Sequence, residues 1–137
     1  MSAKFNILAA TLALCSLSAS AKYKAQTVYM YGFAASFKDS TVYFTDIQQI
    51  DSAYIDSKTT FLYGRANYSE QLSNYLESNG LDHPTCITSF GKDLKEAKKK
   101  YLKLRGKYLK DNKYNIKYIK ETDFKYTVQK PDEQEGQ

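Results

Sequence analysis

The sequence has few of the residues that metal sites and disulfide frameworks require. Its 137 residues include two cysteines and one histidine, too few for a Cys/His zinc site or a network of disulfide bonds. Two prolines and six glycines leave little room for flexible linkers. No apolar run reaches the ~20 residues that a membrane-spanning helix needs. Phosphate-binding loops and the common hydrolase motifs are also missing, so the sequence predicts no cofactor and no enzyme.

The first 21 residues are typical of a secretory signal peptide. Lys4 and the amino terminus supply a short positive start, residues 5–17 are mostly apolar, and residues 19–21 are small, as at a cleavage site. A buried N-terminal helix is the alternative interpretation. We expect cleavage after Ala21, which makes this an exported protein, periplasmic or secreted, with no transmembrane segment after cleavage.

The rest of the chain is predicted to be one globular domain at residues 22–129. Hydrophobic residues make up 42% of the sequence and charged residues 26%, a balance that excludes a wholly disordered protein. The length suits a single domain and excludes a two-domain enzyme. Residues 130–137 carry no apolar side chain, so we expect them to form a disordered acidic tail.

Residue patterns in the domain predict strands and helices in the order β-β-β-α-β-α-β-β. The predicted strands cover residues 26–37, 41–50, 60–63, 85–90, 114–119 and 122–129. The predicted helices cover residues 67–79 and 92–110, and residues 51–59 are expected to be irregular. The first two strands flank a short polar turn and should form a hairpin, whereas strands separated by helices favour parallel pairing. The sequence therefore predicts an α+β fold, a two-layer domain with both helices packed on a mixed sheet of about five to six strands. One helix on each face of the sheet is the alternative.

The first helix has recognisable start and stop signals. Asn67 can cap its start, with Glu70 three residues later as in a capping box. Gly80 supplies a left-handed residue after the last turn, which lets Leu81 fold back on Leu76.

The long helix over residues 92–110 has two contrasting faces. One stripe is apolar and should be the main helical contribution to the core; it contains Leu94, Ala97, Tyr101, Leu104 and Tyr108, widened by Leu102 and Leu109. At about 100° per residue, seven lysines fall on the opposite side. We call them the lysine face: Lys92, Lys95, Lys99, Lys100, Lys103, Lys107 and Lys110.

Charge is concentrated around this helix. Residues 92–120 contain twelve basic and three acidic side chains, a net charge of +9. An electrostatic surface of this kind suits an anionic partner such as a membrane surface or an acidic polysaccharide. A solvated face that only keeps the protein soluble is the simpler interpretation. Nucleic acid is not expected, because export removes the chain from the cytoplasm and the tyrosines of the helix lie on its apolar stripe.

Catalytic candidates are few. His83 and Cys86 stand three positions apart, and such a pair can activate a thiolate. No third orienting group accompanies them, and a buried core thiol is the simpler interpretation. We therefore expect no catalytic residue and no metal site. The sequence predicts a small exported domain with a binding or structural role, and the alternative is a module that binds polyanions or membrane surfaces through the lysine face.

Overall fold

The computed structural model describes residues 22–132, so the predicted signal peptide and the last five residues of the predicted tail lie outside the described part. It contains five strands and two helices: β1 (Tyr23–Ala35), β2 (Thr41–Thr45), β3 (Gln48–Asp56), α1 (Arg65–Ser78), β4 (Thr85–Gly91), α2 (Leu94–Lys110) and β5 (Asn115–Ile119). The strands form one mixed sheet, so the predicted α+β class is confirmed. No helix within residues 22–132 is long and apolar enough to cross a membrane.

Strand β1 is the centre of the sheet because it pairs along both edges. β2 and β3 run antiparallel to it on one edge, and β4 runs antiparallel to it on the other. β5 then adds parallel to β2. The predicted hairpin is therefore confirmed, and so is the mixture of parallel and antiparallel pairing.

Three features in the first half differ from the sequence prediction. The strand predicted at residues 41–50 is divided at residues 46–47 into β2 and β3. The segment at residues 51–59 was expected to be irregular, but β3 continues to Asp56 because its polar residues alternate with buried ones and point outward. The strand predicted at residues 60–63 is reduced to a single bridge between Ile55 and Leu62.

The strand predicted at residues 122–129 does not form, although the predicted alternation of buried and exposed side chains is present. Phe124 and Tyr126 are buried, whereas Lys125 and Thr127 are exposed. The segment does not join an edge of the sheet. It contacts residues of α1 and β3, and side chains take the place of a neighbouring strand.

Two glutamine side chains hold this segment in the same way. The buried Gln48 amide donates from Nε2 to the Phe124 carbonyl (2.8 Å), and its Oε1 accepts from the Tyr126 N–H (2.9 Å). Gln71 makes the equivalent pair with the carbonyl and N–H of Thr127, both at 2.8 Å. Each amide thus supplies one donor and one acceptor, as a partner strand would.

The two helices pack on opposite faces of the sheet. Alternate residues of β1 contact alternate helices, because successive strand side chains point to opposite sides. One cluster contains Val28, Met30 and Ala34 with Tyr68, Leu72 and Leu76 of α1. The other contains Phe33, Val42 and Phe44 with Tyr101, Leu104 and Tyr108 of α2. Within the confirmed α+β class, this is the placement given above as the alternative.

The start of α1 corrects the predicted capping box. The helix begins after Gly64, whose φ of 73° is left-handed, and no side chain caps it, so Asn67 and Glu70 do not form the expected pair. Its end is as predicted. Gly80 has a φ of 92°, and the Leu81 N–H donates to the Leu76 carbonyl at 3.0 Å.

The main helical contribution to the core comes from α1, which corrects the expectation for α2. Tyr68 and Leu72 of α1 are completely buried, whereas Ala97 is the one α2 residue that is fully buried. Leu94, Leu102 and Leu109 remain 40%, 57% and 51% exposed. The cluster under α2 has three buried residues against thirteen under α1, so it covers only the centre of the apolar stripe.

The paired glutamines allow a matched test of the fold. Gln48→Ala should lower the free energy of unfolding by ~2–4 kcal/mol, because it leaves two buried backbone groups unpaired and opens a cavity. Gln71→Ala should cost about 1 kcal/mol or less, because water can reach the groups it releases. Urea unfolding of both variants measures the difference. Equal losses of unfolding free energy in the two variants would contradict the idea that burial makes the Gln48 hydrogen bonds more important than those of Gln71.

Candidate anion-binding face

The start of α2 is fixed by a reciprocal pair of hydrogen bonds. Asp93 caps the helix and accepts from the Glu96 N–H at 2.7 Å, and the Glu96 carboxylate accepts from the Lys92 N–H at 3.2 Å. Gly91 allows the first turn to approach β4 closely, since a Cβ there would lie 2.6 Å from the Ala97 nitrogen. Asp93 and Glu96, which stand among these lysines in the sequence, therefore both take part in the helix start.

Aromatic contacts on the inner side of α2 fix the rotation of the helix. Tyr101 meets Tyr31 edge-on with ring centroids 5.2 Å apart, and Tyr108 lies 4.9 Å from Phe33. With these rings against the sheet, the opposite side of α2 must face solvent.

The lysine face accordingly points outward, and all seven of its residues are exposed. Lys100 has two partners, because its ammonium group lies 3.4 Å from the Glu96 carboxylate and donates to the Phe90 carbonyl at 2.8 Å. The other six ammonium groups have no ion pair or hydrogen bond with any residue between 22 and 132. The structure thus brings the predicted residues together on one rigid helix and sets Lys100 apart from them.

Lys98 lies beside this face, but its surroundings are different. It lines a depression of about 350 Å³ together with Asp46, Glu121 and Tyr101. Two carboxylates therefore share this depression with Lys98, whereas none of the seven residues of the lysine face lines it.

The sequence interpretation missed two exposed leucines next to the lysines. Leu102 and Leu109 were assigned to the buried stripe, yet more than half of each side chain is accessible. Their angular position was the available signal, because at about 100° per residue both lie roughly a quarter turn or more from the centre of the stripe. The exposed surface of α2 therefore combines ammonium groups with apolar side chains.

The Cys86–His83 pair does not form. The His83 side chain is 86% exposed, and its Nε2 lies 3.3 Å from the Asp82 carboxylate. Burial raises the pKa of the Cys86 thiol to about 11; the charge of Glu77 acts in the same direction, and a hydrogen bond with Ser73 opposes it. A thiol with a raised pKa is protonated at neutral pH, so Cys86 lacks the activation that a nucleophile needs.

Metal-binding clusters and surface depressions are the other places where a site could lie. Residues 22–132 contain no group of three or more metal-ligating side chains. Four depressions on this part of the chain have volumes between 260 and 360 Å³, and no residue of the lysine face lines any of them. The lysine face therefore stands apart from these four depressions.

The raised pKa of Cys86 gives a direct chemical test. Because the pKa rises from 9.0 to about 11, the thiolate fraction at pH 7–8 should be roughly 100-fold below that of an unperturbed thiol. Alkylation at Cys86, followed by peptide mass spectrometry, should be correspondingly slow in the folded protein and should accelerate in urea. Alkylation of the folded protein as fast as the unfolded chain would contradict the assigned environment.

The lysine face is the one concentrated chemical feature that the structure assembles from the predicted site residues. Comparison of the chain with protein-family models, with curated proteins and with solved structures finds no match.

Proposed function

We propose that the protein is a small non-catalytic domain, exported from the cytoplasm, that binds an anionic partner through the lysine face of α2. The observation that supports this proposal is the set of six exposed ammonium groups without a partner in the described part of the chain. Export is supported by the signal-peptide pattern of the first 21 residues.

The arrangement of these charges favours binding of another molecule over internal pairing. Lys95, Lys99, Lys103 and Lys107 follow one another at a spacing of four residues, which places neighbouring Cβ atoms about 6 Å apart. That separation is shorter than the screening length of ~8 Å at physiological salt, so their potentials add. An anion that approaches the face relieves this repulsion and gains from all of them.

The chemistry of lysine sets the expected mode of binding. An ammonium group is a point charge without the planar two-pronged geometry of arginine. We therefore expect binding that is governed by charge density, has little geometric selectivity and weakens as salt increases.

A purely solubilising role is the competing interpretation, and the distribution of charge argues against it. Residues 22–91 have a net charge of −2 and residues 121–137 of −3, against +9 over residues 92–120. Solubility requires net charge anywhere on the surface. It does not require that the charge be concentrated on one helix.

Charge reversal at two positions tests the proposal. Lys99→Glu/Lys103→Glu should weaken binding to an anionic resin at low salt by tenfold or more, because each basic residue at an anionic surface contributes about 1 kcal/mol. The matched control is Lys24→Glu/Lys58→Glu, which changes the net charge equally at exposed positions in β1 and after β3. Circular dichroism shows whether both variants remain folded.

The control variant decides between the two interpretations. If it retains most of the binding, the position of the charge matters and the proposal holds. If both double substitutions weaken binding to the anionic resin equally, only net charge matters and the lysine face has no special role.

A further inference from the structure

The exposed side of α2 carries an apolar strip beside its lysines. Leu102 and Leu109 are 57% and 51% exposed and stand seven residues apart, so they lie on one line along the helix, two turns from each other. Gly106 stands between them, and a Cβ at that position would meet nothing within 4 Å. Tyr118 of β5, 53% exposed, continues the strip under Arg105, whose guanidinium carbon lies 5.9 Å from the centre of the tyrosine ring.

We propose that the anionic partner of the lysine face is the surface of a lipid bilayer, into which Leu102 and Leu109 insert. This inference rests on the proposed function and specifies its partner. The lysines contact the lipid phosphates, and the two leucines enter the boundary between headgroups and acyl chains.

The exposed leucines are what favour a bilayer over a soluble polyanion. A polysaccharide or a phosphate group supplies a counterion for a lysine but no apolar environment for a leucine side chain. A bilayer accommodates both kinds of side chain, because helices that lie in the interface combine basic residues with a few apolar ones. Lysine also suits this geometry, since its aliphatic stem can lie along apolar surface while the ammonium stays with the headgroups.

The shape of the face agrees with a planar partner. α2 has seventeen residues and is therefore about 25 Å long. None of the four depressions described above includes one of the seven lysines on its outer side. A helix held against a sheet with its charged side outward can lie flat on a membrane without any change of conformation.

The first test compares vesicles with a soluble polyanion. Co-sedimentation with vesicles of phosphatidylglycerol and phosphatidylcholine, and binding to dextran sulfate, are measured in parallel at low salt for the full chain. Leu102→Ser/Leu109→Ser should weaken vesicle binding by about tenfold or more and leave dextran sulfate binding within about twofold. Phe61→Ser removes an apolar side chain that is 73% exposed elsewhere and should change neither.

The second test measures insertion and needs no loss of function. The chain contains no tryptophan, so Leu102→Trp introduces a single reporter that keeps the position apolar. Its emission should shift to the blue with anionic vesicles and be quenched by lipids brominated on their acyl chains. Phe61→Trp is the matched control and should show neither effect.

The outcomes separate this inference from the proposed function. If charge reversal at Lys99 and Lys103 abolishes vesicle binding but neither the double serine variant nor the tryptophan reporter shows an effect, the lysine face binds anions and the bilayer inference is wrong. If the double serine variant stays folded and loses dextran sulfate binding equally, the leucines do not act through lipid, which also overturns it. If the wild type binds neither vesicles nor dextran sulfate, the proposed function itself fails.

Discussion

Burial of the second half of strand β1, from Val28 onward, on both of its faces is the constraint on which the rest of the structure depends. Val28, Met30 and Ala34 are fully buried on one side, and Tyr31 and Phe33 are 2% and 7% exposed on the other. A strand covered on both faces needs an apolar surface above and below it. The two helices supply those surfaces, and each must turn its apolar stripe toward the sheet. The outward direction of the lysine face is a consequence of this packing.

The α1 side of the sheet is closed by the segment that follows β5, and the packing there is very tight. A Cβ at Gly32 would collide with the Tyr126 hydroxyl and would lie 2.7 Å from Cδ2 of Leu72. The Tyr126 hydroxyl is buried beside the Thr88 and Thr45 hydroxyls, which also bond to Ser69 and to backbone groups. Burial consequently raises the pKa of Tyr126 above its usual range.

The sequence predicts most of this fold because local patterns specify it. Alternation locates β1, β4 and β5, and glycine locates the end of α1. Two of the features that differ from the prediction show where local patterns are not sufficient. Residues 122–129 alternate like a strand, but Gln48, more than seventy positions earlier, supplies their hydrogen bonds. The start of α1 uses the left-handed Gly64 in place of the expected Asn67 cap.

The candidate site also has one feature that the sequence predicts and one that it does not. Helical spacing places the seven lysines on one face, and the structure presents them as the spacing predicts. The spacing places Leu102 and Leu109 at the margin of the apolar stripe, but it does not show how far the sheet extends under them. Because the cluster around Phe33 and Phe44 is small, Leu102 and Leu109 stay exposed, and the surface becomes apolar as well as basic.

The central claim is that α2 contacts the anionic partner with this outward side. Lysine acetylation footprinting, with and without anionic vesicles, tests it most directly because every lysine reports on its own exposure. We predict that Lys99 and Lys103 lose reactivity when vesicles are present, while Lys24 and Lys58 keep theirs. Uniform protection of all four, or protection of Lys24 and Lys58 alone, would contradict the account.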